Sequence, residues 1–504
     1  MTQMPNGFAY FVLMTWPLVA LVLFRFLPVQ KALVWTLLGG YLLLPSRTAF
    51  DFPLLPSLDK SSIPNLSALV LCLIFAPKQA AASGQGSDTE RRGLWFVRLV
   101  LVLMLLAPLF TVYNNSEPIF FGPRTLPGLR FYDAVATVLS LLISIIPFFL
   151  AWRYLSRVED QTYVLKAFAI AGLLYSVPVL FEVRFSPQLH TWTYGFFPHE
   201  FLQHMRQGGF RPVVFLSHGL LIGSFYCMAT LAALVLWREA LRTGKVSTGW
   251  LFSVVWLIGI LVVSKNLGAL VITVAIGVLI LFTGRRVMVF AAVIVASLLI
   301  LYPALRTSGV IPTSTILAAA QSVSQDRASS LQFRLDNEEK LMARANEKPV
   351  FGWGSWGRNQ IFDPETGRMT SVTDGLWIIL IGMYGWLGYA AHFGLLTMGI
   401  WLAMVRRGTV GASLATPGIM MLLSGMLVDF IPNGWLLPYV WLLAGSLTGG
   451  MLLGNEARDL PADAPERARA SGARAAPPSW LAQGAAPRPR RSERQPEERA
   501  SRTR

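Results

Sequence analysis

The stretch Leu267–Tyr302, LGALVITVAIGVLILFTGRRVMVFAAVIVASLLILY, decides the fold class. It contains two apolar runs, 267–283 and 287–302, joined by a short link that carries Arg285 and Arg286. Each run is close to the roughly 17 to 25 residues that a helix needs to cross a bilayer. Runs of this kind recur along most of the chain, so the sequence predicts a polytopic membrane protein.

Composition supports the same conclusion. The chain has 504 residues, of which 54% are hydrophobic and 14% are charged, whereas soluble domains carry about 25% charged residues. Cys72 and Cys227 both lie inside apolar runs and are expected to be small core residues, so the sequence predicts neither a disulfide framework nor a thiolate metal site. The first apolar run lacks a basic leader and a small-residue cleavage site, which favours a retained span over a signal peptide.

The apolar runs predict an all-α, polytopic helical bundle of about 12–14 spans. The thirteen candidate spans are 8–24, 31–45, 63–77, 94–112, 132–151, 163–181, 213–236, 248–264, 267–283, 287–302, 375–403, 415–431 and 435–453. The links around Lys265 and Pro432 are very short, so these are the least certain boundaries.

The distribution of Lys and Arg predicts the orientation, because basic residues collect on the cytoplasmic side of membrane spans. The predicted inner links carry Arg25/Lys31, Lys78/Arg91/Arg92, Arg153/Arg157, Arg238/Arg242/Lys245, Arg285/Arg286 and Arg406/Arg407. The N-terminus then faces outward if there are thirteen spans, or inward if the count differs by one. This asymmetry and the basic tail explain the net charge of +16 without a nucleic-acid partner.

Four outer segments follow from this orientation: 46–62, 113–131, 182–212 and a large insert, 303–374. The predicted organisation is therefore a bundle over 1–302, the outer insert over 303–374, further spans over 375–454 and a tail over 455–504. The tail is rich in Ala, Pro and Arg and should be disordered. It could be a solvated tail without a specific role, or its arginines could contact anionic lipid headgroups or cytoplasmic partners.

The insert contains about seventy residues and is too polar to lie in the hydrocarbon of a bilayer. Ser329–Ala345 is rich in good helix formers, and Arg334 and Glu338 lie four residues apart, so we predict a helix on which these two side chains pair. The Lys348–Pro349 step should end that helix. The following string, PVFGWGSWGRN (349–359), combines glycines for tight turns with two indoles.

Four histidines, His190, His199, His204 and His218, fall around the 182–212 segment. Their spacing matches no common zinc pattern and no cysteine accompanies them, so we predict no metal and no cofactor. A surface that recognises a polar ligand fits better. His218, at the mouth of the next span, could be a site residue or a hydrogen-bonded core histidine.

Arginines on two outer segments point to an anionic ligand, because the guanidinium fork suits phosphate oxygens. If the segments fold over each other, these side chains would converge on a lipid-linked diphosphate. The alternative is a solvated network of ion pairs. The arginines concerned are Arg184, Arg206, Arg211, Arg327, Arg334, Arg344 and Arg358.

Asp374 lies at the boundary where the membrane resumes. A carboxylate beside an apolar interface can have a raised pKa and act as a general base. It could equally cap the following helix. We keep both interpretations at this point.

Three strings resemble the O-antigen ligase and O-antigen polymerase superfamily. They are GGFRPVVFLSHGL (208–220), FRLDNEEKLMARANEKPVFGWGSWGRN (333–359) and TDGLWIILIGMYGWLGY (373–389). The resemblance covers about residues 200–400. It implies a helical membrane fold of the GT-C-like kind and transfer of glycan from an undecaprenyl-diphosphate donor, without a metal, on the periplasmic face of the bacterial inner membrane.

By position, the resemblance implies that Arg211 and Arg334 hold the donor diphosphate. Trp353, Trp356 and Tyr384 could stack on sugars, or could be interfacial anchors. The ligases carry a histidine near the position of Asp374, and this departure favours a polymerase of exopolysaccharide or O-antigen over a ligase. A transporter or flippase for lipid-linked glycans is a rival, although such proteins show repeated halves. A non-catalytic partner of other polysaccharide assembly proteins is another.

Overall fold

Each apolar run forms a helix in the computed structural model, which describes residues 4–52, 56–76, 88–206, 208–323, 325–355, 357–406 and 411–452. The thirteen helices on the predicted spans are α1 Gly7–Phe26, α2 Val29–Leu43, α3 Ser62–Phe75, α4 Asp88–Tyr113, α5 Phe131–Tyr154, α6 Val158–Phe185, α8 Gly219–Arg242, α9 Thr248–Val263, α10 Leu267–Phe282, α11 Arg285–Thr307, α14 Leu376–Val405, α15 Ala415–Asp429 and α16 Pro438–Leu452. Seven helices in the described residues are long and apolar enough to cross a membrane. The prediction of an all-α polytopic bundle is confirmed. The tail from 455 and the link around Lys78 lie outside the described residues.

Shorter elements occupy the connections. They are the helices α7 Leu189–Tyr194, α12 Thr313–Val323 and α13 Gln325–Asn346, a 3-10 turn at Phe201–His204, and three antiparallel hairpins, β1 Ala49–Phe50 with β2 Leu58–Asp59, β3 Ile119–Phe121 with β4 Arg124–Leu126, and β5 Met205–Arg206 with β6 Gly209–Phe210. The insert helix predicted over Ser329–Ala345 is confirmed as part of α13.

The bundle packs around α8, which is buried along almost its whole apolar length. Helices α6, α9, α10 and α15 surround it. Small residues allow this close approach: a Cβ at Gly418 would lie 2.6 Å from Val235 Cγ1. Close packing of this kind replaces the hydrophobic driving force, which is absent between helices in lipid.

Several helix boundaries differ from the prediction by five or six residues, and two of them bear on the site. The span predicted over 213–236 begins as a helix only at Gly219, because the backbone N–H groups of Val213 and Val214 donate to the Glu182 carboxylate (2.7 Å each). Helix α11 continues to Thr307, five residues beyond its predicted end. Its last turn therefore stands beside the insert.

Contacts place the predicted outer segments at one end of the bundle, which we call the insert end (44–61, 114–130, 186–218, 264–266, 308–375 and 430–437). Lys60 Nζ donates to the Phe215 carbonyl (2.9 Å), and Arg211 donates to the Lys265 carbonyl (3.2 Å). The N-terminus of α1 is also here, since the Asn6 N–H donates to Tyr194 O (2.9 Å). These links join segments that are distant in sequence.

Helix α14 is interrupted at Gly385, where φ is +68° and ψ is −173°. The segment Pro349–Gly354 fills the interruption. The N–H groups of Trp353 and Gly354 donate to the carbonyls of Gly382 and Met383 (2.8 and 2.9 Å), and the Trp386 N–H donates to the Pro349 carbonyl (2.7 Å). Non-helical backbone at membrane depth is stable only when its polar groups are paired in this way.

Candidate functional site

Helix α13 forms one wall of the candidate site. Leu341, Met342 and Ala345 are buried in the main core and fix its C-terminal half against the bundle. Arg334 and Glu338 lie one turn apart on the adjoining part of the helix, as their spacing requires. The helix thus presents a guanidinium and a carboxylate side by side at the junction of insert and bundle.

Arg334 and Asp374 form an ion pair, with Arg334 Nε 3.3 Å from Asp374 Oδ2. The expected pair between Arg334 and Glu338 is not formed within ion-pair distance in the described residues. Each side chain finds a partner outside α13, because the segment before α14 brings Asp374 to Arg334 and the end of α11 brings Arg306 to Glu338. Both members of the Arg334–Asp374 pair are 37% exposed, so water and solutes reach them.

Glu338 is the more enclosed carboxylate, with 14% of its side chain exposed. Its Oε2 lies 3.5 Å from Arg306 Nε and 3.4 Å from the Tyr302 hydroxyl, which donates to it. Arg306 also donates to the Leu335 carbonyl (3.3 Å). Burial raises the pKa of Glu338, and Arg306 opposes that rise.

These groups border a cavity of about 120 Å³. Its polar lining consists of Arg334, Glu338, Asp374 and the Tyr302 hydroxyl, and leucine, isoleucine, valine and proline side chains supply the rest. The cavity therefore combines one guanidinium and two carboxylates with apolar walls.

Asp374 does not cap α14. The cap position is Gly375, without a side-chain hydrogen bond, and the Leu376 N–H instead donates to the carbonyls of Phe430 and Asn433 (3.0 and 3.1 Å). The capping interpretation is therefore wrong. The Asp374 carboxylate lines the cavity instead. Burial raises its pKa, and the adjacent Arg334 opposes that rise.

His218 lies in a cluster of three imidazoles. Its ring centroid is 4.5 Å from that of His199 and 4.8 Å from that of His204, and Trp435 lies against it at 5.3 Å. His218 Nδ1 accepts a hydrogen bond from the Leu220 N–H (3.0 Å), so His218 is the N-cap of α8.

The other histidines have structural contacts. His204 uses both ring nitrogens, since Nδ1 contacts the Glu200 carbonyl (3.0 Å) and Nε2 accepts from the Gly219 N–H (3.2 Å). His190 is buried at a distance from the cluster, where Nδ1 contacts the Phe196 carbonyl (2.8 Å). Burial lowers the pKa of His190 to about 4. Within the described residues, no group of His, Cys, Asp and Glu side chains is arranged to hold a metal ion.

Arg211 lies beside His218 at the start of α8. Its guanidinium donates to the Lys265 carbonyl, and its aliphatic chain crosses Gly219, where an added Cβ would approach Arg211 Cγ and Cδ to 2.5 Å. In the GGFRPVVFLSHGL string, Gly219 follows His218 directly and leaves space for the Arg211 side chain. Arg211 and His218 are therefore neighbours.

The segment 430–437 connects the two groups of predicted residues. On one side Trp435 packs against His218. On the other, Ile431 and Pro432 line the Arg334 cavity, and a Cβ at Gly434 would lie 2.9 Å from the Asp374 carbonyl oxygen. Arg211 and Arg334 therefore belong to the same end of the bundle and flank one loop.

Six predicted ligand-binding residues in the described part of the chain do not line the cavity: Arg211, described above, and five others. Arg184 is exposed at the end of α6, over the Phe185 ring, and Tyr384 packs on His392 inside the bundle. Arg358 is 1% exposed and donates to the carbonyls of Pro127 and Glu117 (2.7 and 3.0 Å).

The remaining two, Arg344 and Trp353, stack on each other, with Arg344 Cζ 3.4 Å from the ring centroid. Trp353 is 8% exposed, and its indole N–H donates to the Arg344 carbonyl (2.8 Å). Lys348 Nζ also lies over the ring, 4.6 Å from its centroid, so the contacts of Trp353 are with cations of the insert. Trp356 and the side chains of Arg206 and Arg327 lie outside the described residues.

Three features of the site were not predicted: Arg306, the location of Glu338 in the cavity, and the role of 430–437. Arg306 lies just past the predicted end of a span, and a basic residue there is ordinarily a membrane-flanking charge. The signal that could have found it is the helical period, which continues past Tyr302.

No family model matches the chain, and no curated protein matches it.

Proposed function

We propose that the protein is a membrane glycosyltransferase that transfers or polymerises lipid-diphosphate-linked oligosaccharide at the insert end of the bundle. The observation that carries this proposal is the Arg334–Asp374 pair at the mouth of a cavity with both charged and apolar walls. In this proposal the Arg334 guanidinium binds the anionic head of a lipid diphosphate, and the apolar walls contact its chain. We further propose that the insert end faces the periplasm of a bacterial inner membrane.

The chemistry needs little beyond alignment and charge. Diphosphate is a good leaving group, so the enzyme must hold the acceptor hydroxyl near the anomeric carbon and stabilise the negative charge that leaves with the diphosphate. At the cavity, Arg334 provides the positive charge that stabilises the leaving diphosphate. We assign Arg211, on the other side of the 430–437 segment, to a more distant part of the same ligand.

Glycan polymerisation is preferred here to ligation onto a lipid acceptor. The preference rests on the resemblance, because Asp374 stands near the place of the ligases' histidine. An O-antigen ligase activity remains the second candidate, and the acceptor used by the purified protein would separate the two.

A flippase for the same lipid-linked glycans is the rival from another class. Transporters use interrupted helices whose free ends line the substrate path, and α14 is interrupted. Its interruption, however, is filled by Pro349–Gly354, which pairs with the exposed carbonyls and N–H groups. This arrangement favours a fixed docking site over a moving gate.

The test uses the reconstituted full chain with an undecaprenyl-diphosphate oligosaccharide. We expect lengthening of the glycan, and we expect Arg334→Ala to lower the rate at least about 100-fold, the effect of removing a donor to developing negative charge. Arg334→Lys should also be poor, since the planar fork is lost. Arg368, an exposed arginine of the same insert, provides the matched control, Arg368→Ala, which should transfer normally.

Arg211→Ala should also reduce transfer, because Arg211 is assigned to the same ligand. Lengthening that persists at the wild-type rate in Arg334→Ala would contradict the proposed role of the pair. Movement of the lipid-linked glycan across the membrane without lengthening would favour the flippase instead. Because the arginines supply the charge, we expect transfer to persist when a chelator removes divalent cations.

A further inference from the structure

The cavity contains two carboxylates with unlike surroundings. Asp374 is bound to Arg334, the guanidinium assigned to the diphosphate, and is 37% exposed. Glu338 lies one turn further along α13 and is 14% exposed. Two carboxylates in one site with different environments commonly have different roles.

Resting on the proposed function, we infer that Glu338 is the general base that accepts the proton of the acceptor hydroxyl, and that Asp374 is a positioning residue for Arg334. In this step the hydroxyl oxygen forms a bond to the anomeric carbon of the donor sugar. The bond from that carbon to the diphosphate oxygen breaks, and its electron pair leaves with the diphosphate. The hydroxyl proton passes to the Glu338 carboxylate.

The geometry of α13 supports the division of roles. One helical turn advances about 5.4 Å along the axis, so Arg334 and Glu338 are offset along the cavity wall. A leaving diphosphate at Arg334 and an attacking hydroxyl at Glu338 would then lie at different positions beside one sugar. A base needs hydrogen-bond reach to the proton that it removes, and Glu338 lines the cavity directly.

The contacts of Glu338 leave it able to accept a proton. Its contacts with Arg306 Nε and the Tyr302 hydroxyl are both long, 3.5 and 3.4 Å, so the surroundings orient the carboxylate without a short charge-assisted bond. Burial raises the pKa of Glu338, and Arg306 and the Tyr302 hydroxyl oppose that rise. A carboxylate with a raised pKa is a better base than an exposed one.

Asp374 is less suited to that task. It touches the guanidinium proposed to bind the diphosphate, so a proton accepted there would weaken the attraction that orients Arg334. Its side chain comes from the segment just before α14, whose first N–H is fixed by the carbonyls of Phe430 and Asn433. This rigid attachment suits a residue that orients another.

The experiment compares Glu338→Gln with Asp374→Asn in the reconstituted full chain, using undecaprenyl-diphosphate oligosaccharide and measuring kcat and KM against pH. Glu338→Gln should lower kcat about 100-fold or more, the usual contribution of a general base, with the donor KM nearly unchanged. A base works deprotonated, so the wild-type rate should rise with pH through the Glu338 pKa. That acidic limb should disappear in Glu338→Gln.

Asp374→Asn should instead raise the donor KM and keep the acidic limb. Glu338→Asp retains the carboxylate and should keep the limb at a reduced kcat, which separates loss of the base from loss of folding. Glu339, the exposed neighbour on α13, provides the matched control: Glu339→Gln should behave as the wild type.

A Glu338→Gln protein with kcat within threefold of the wild type and the same acidic limb would overturn the assignment of the base while leaving the proposed function in place. Exchange of the two phenotypes, with Asp374→Asn losing the limb, would overturn it as well. A wild-type protein that transfers no glycan would overturn the proposed function and this inference together.

Discussion

The two halves of the insert, 303–338 and 339–374, carry three arginines each, but Arg334 in the first half and Arg358 in the second have opposite structural roles. In the first half, Arg334 is 37% exposed and paired with one carboxylate at a cavity. In the second half, Arg358 is 1% exposed and its guanidinium donates to two backbone carbonyls of the 113–131 segment. One arginine is available to a ligand, and the other holds two loops together.

The same contrast holds for the aromatic residues. Trp353, in the second half, contacts Arg344 and Lys348, whereas the hydroxyl of Tyr302, in α11 just before the first half, donates to Glu338 at the cavity. The comparison shows that residue type alone indicates which interactions a side chain can make. Its burial then decides whether it binds other parts of the protein or is accessible to a ligand. The predictions below test this division, beginning with the largest expected effect on stability.

Gly385→Ala should destabilise the protein most. A Cβ there would lie 2.2 Å from the Val350 carbonyl oxygen, and φ is +68°. Backbone strain and overpacking together should lower the free energy of unfolding by about 4 kcal/mol, measurable by SDS titration in mixed micelles. Gly394, in the same helix, has only ordinary contacts at 3.8 Å with Val100, so Gly394→Ala should be nearly neutral. Equal effects in the two variants would contradict docking of the insert at the break.

Arg358→Ala should have the next largest effect. It removes hydrogen bonds from a charged donor to two carbonyls, each worth roughly 1.5–3 kcal/mol, so we expect a loss of about 3 kcal/mol in the same titration. The exposed Arg368→Ala is the control and should change stability little. If Arg358→Ala remained fully stable but lost transfer activity, Arg358 would be a ligand-binding residue after all.

Arg334→Ala should have the smallest effect on stability. An exposed ion pair contributes roughly 0–1 kcal/mol, so the free energy of unfolding should change by less than about 1 kcal/mol while glycan transfer is lost. Circular dichroism and SDS titration of the purified variant would check the first part. A large loss of stability would show that Arg334 resembles Arg358 and would remove the contrast between the two halves.

The sequence predicted what depends on composition and period. The thirteen apolar runs form helices, and α13 forms where the sequence is rich in helix formers. The sequence also indicates Arg334 and Asp374 as site residues, and the two are in contact. These features follow from the chemistry of single residues and their near neighbours. Tertiary contacts then decided which of the predicted residues reach the cavity.

The sequence could not predict the depth of a side chain. Arg358 and Arg334 have the same chemistry, and only the loop at 113–131, more than two hundred residues earlier in the chain, buries one of them. The i,i+4 rule offered Glu338 as the partner of Arg334, but Asp374 and Arg306 compete for the two side chains from other segments. Spacing identifies a shared face without identifying the partner.

The interruption at Gly385 has a consequence for biogenesis. The segment 349–354 leaves the ribosome before α14, yet it supplies the partners for the carbonyls of Gly382 and Met383. Unpaired backbone groups in hydrocarbon cost several kcal/mol each. The backbone pairing of α14 therefore depends on a segment that is synthesised before the helix itself.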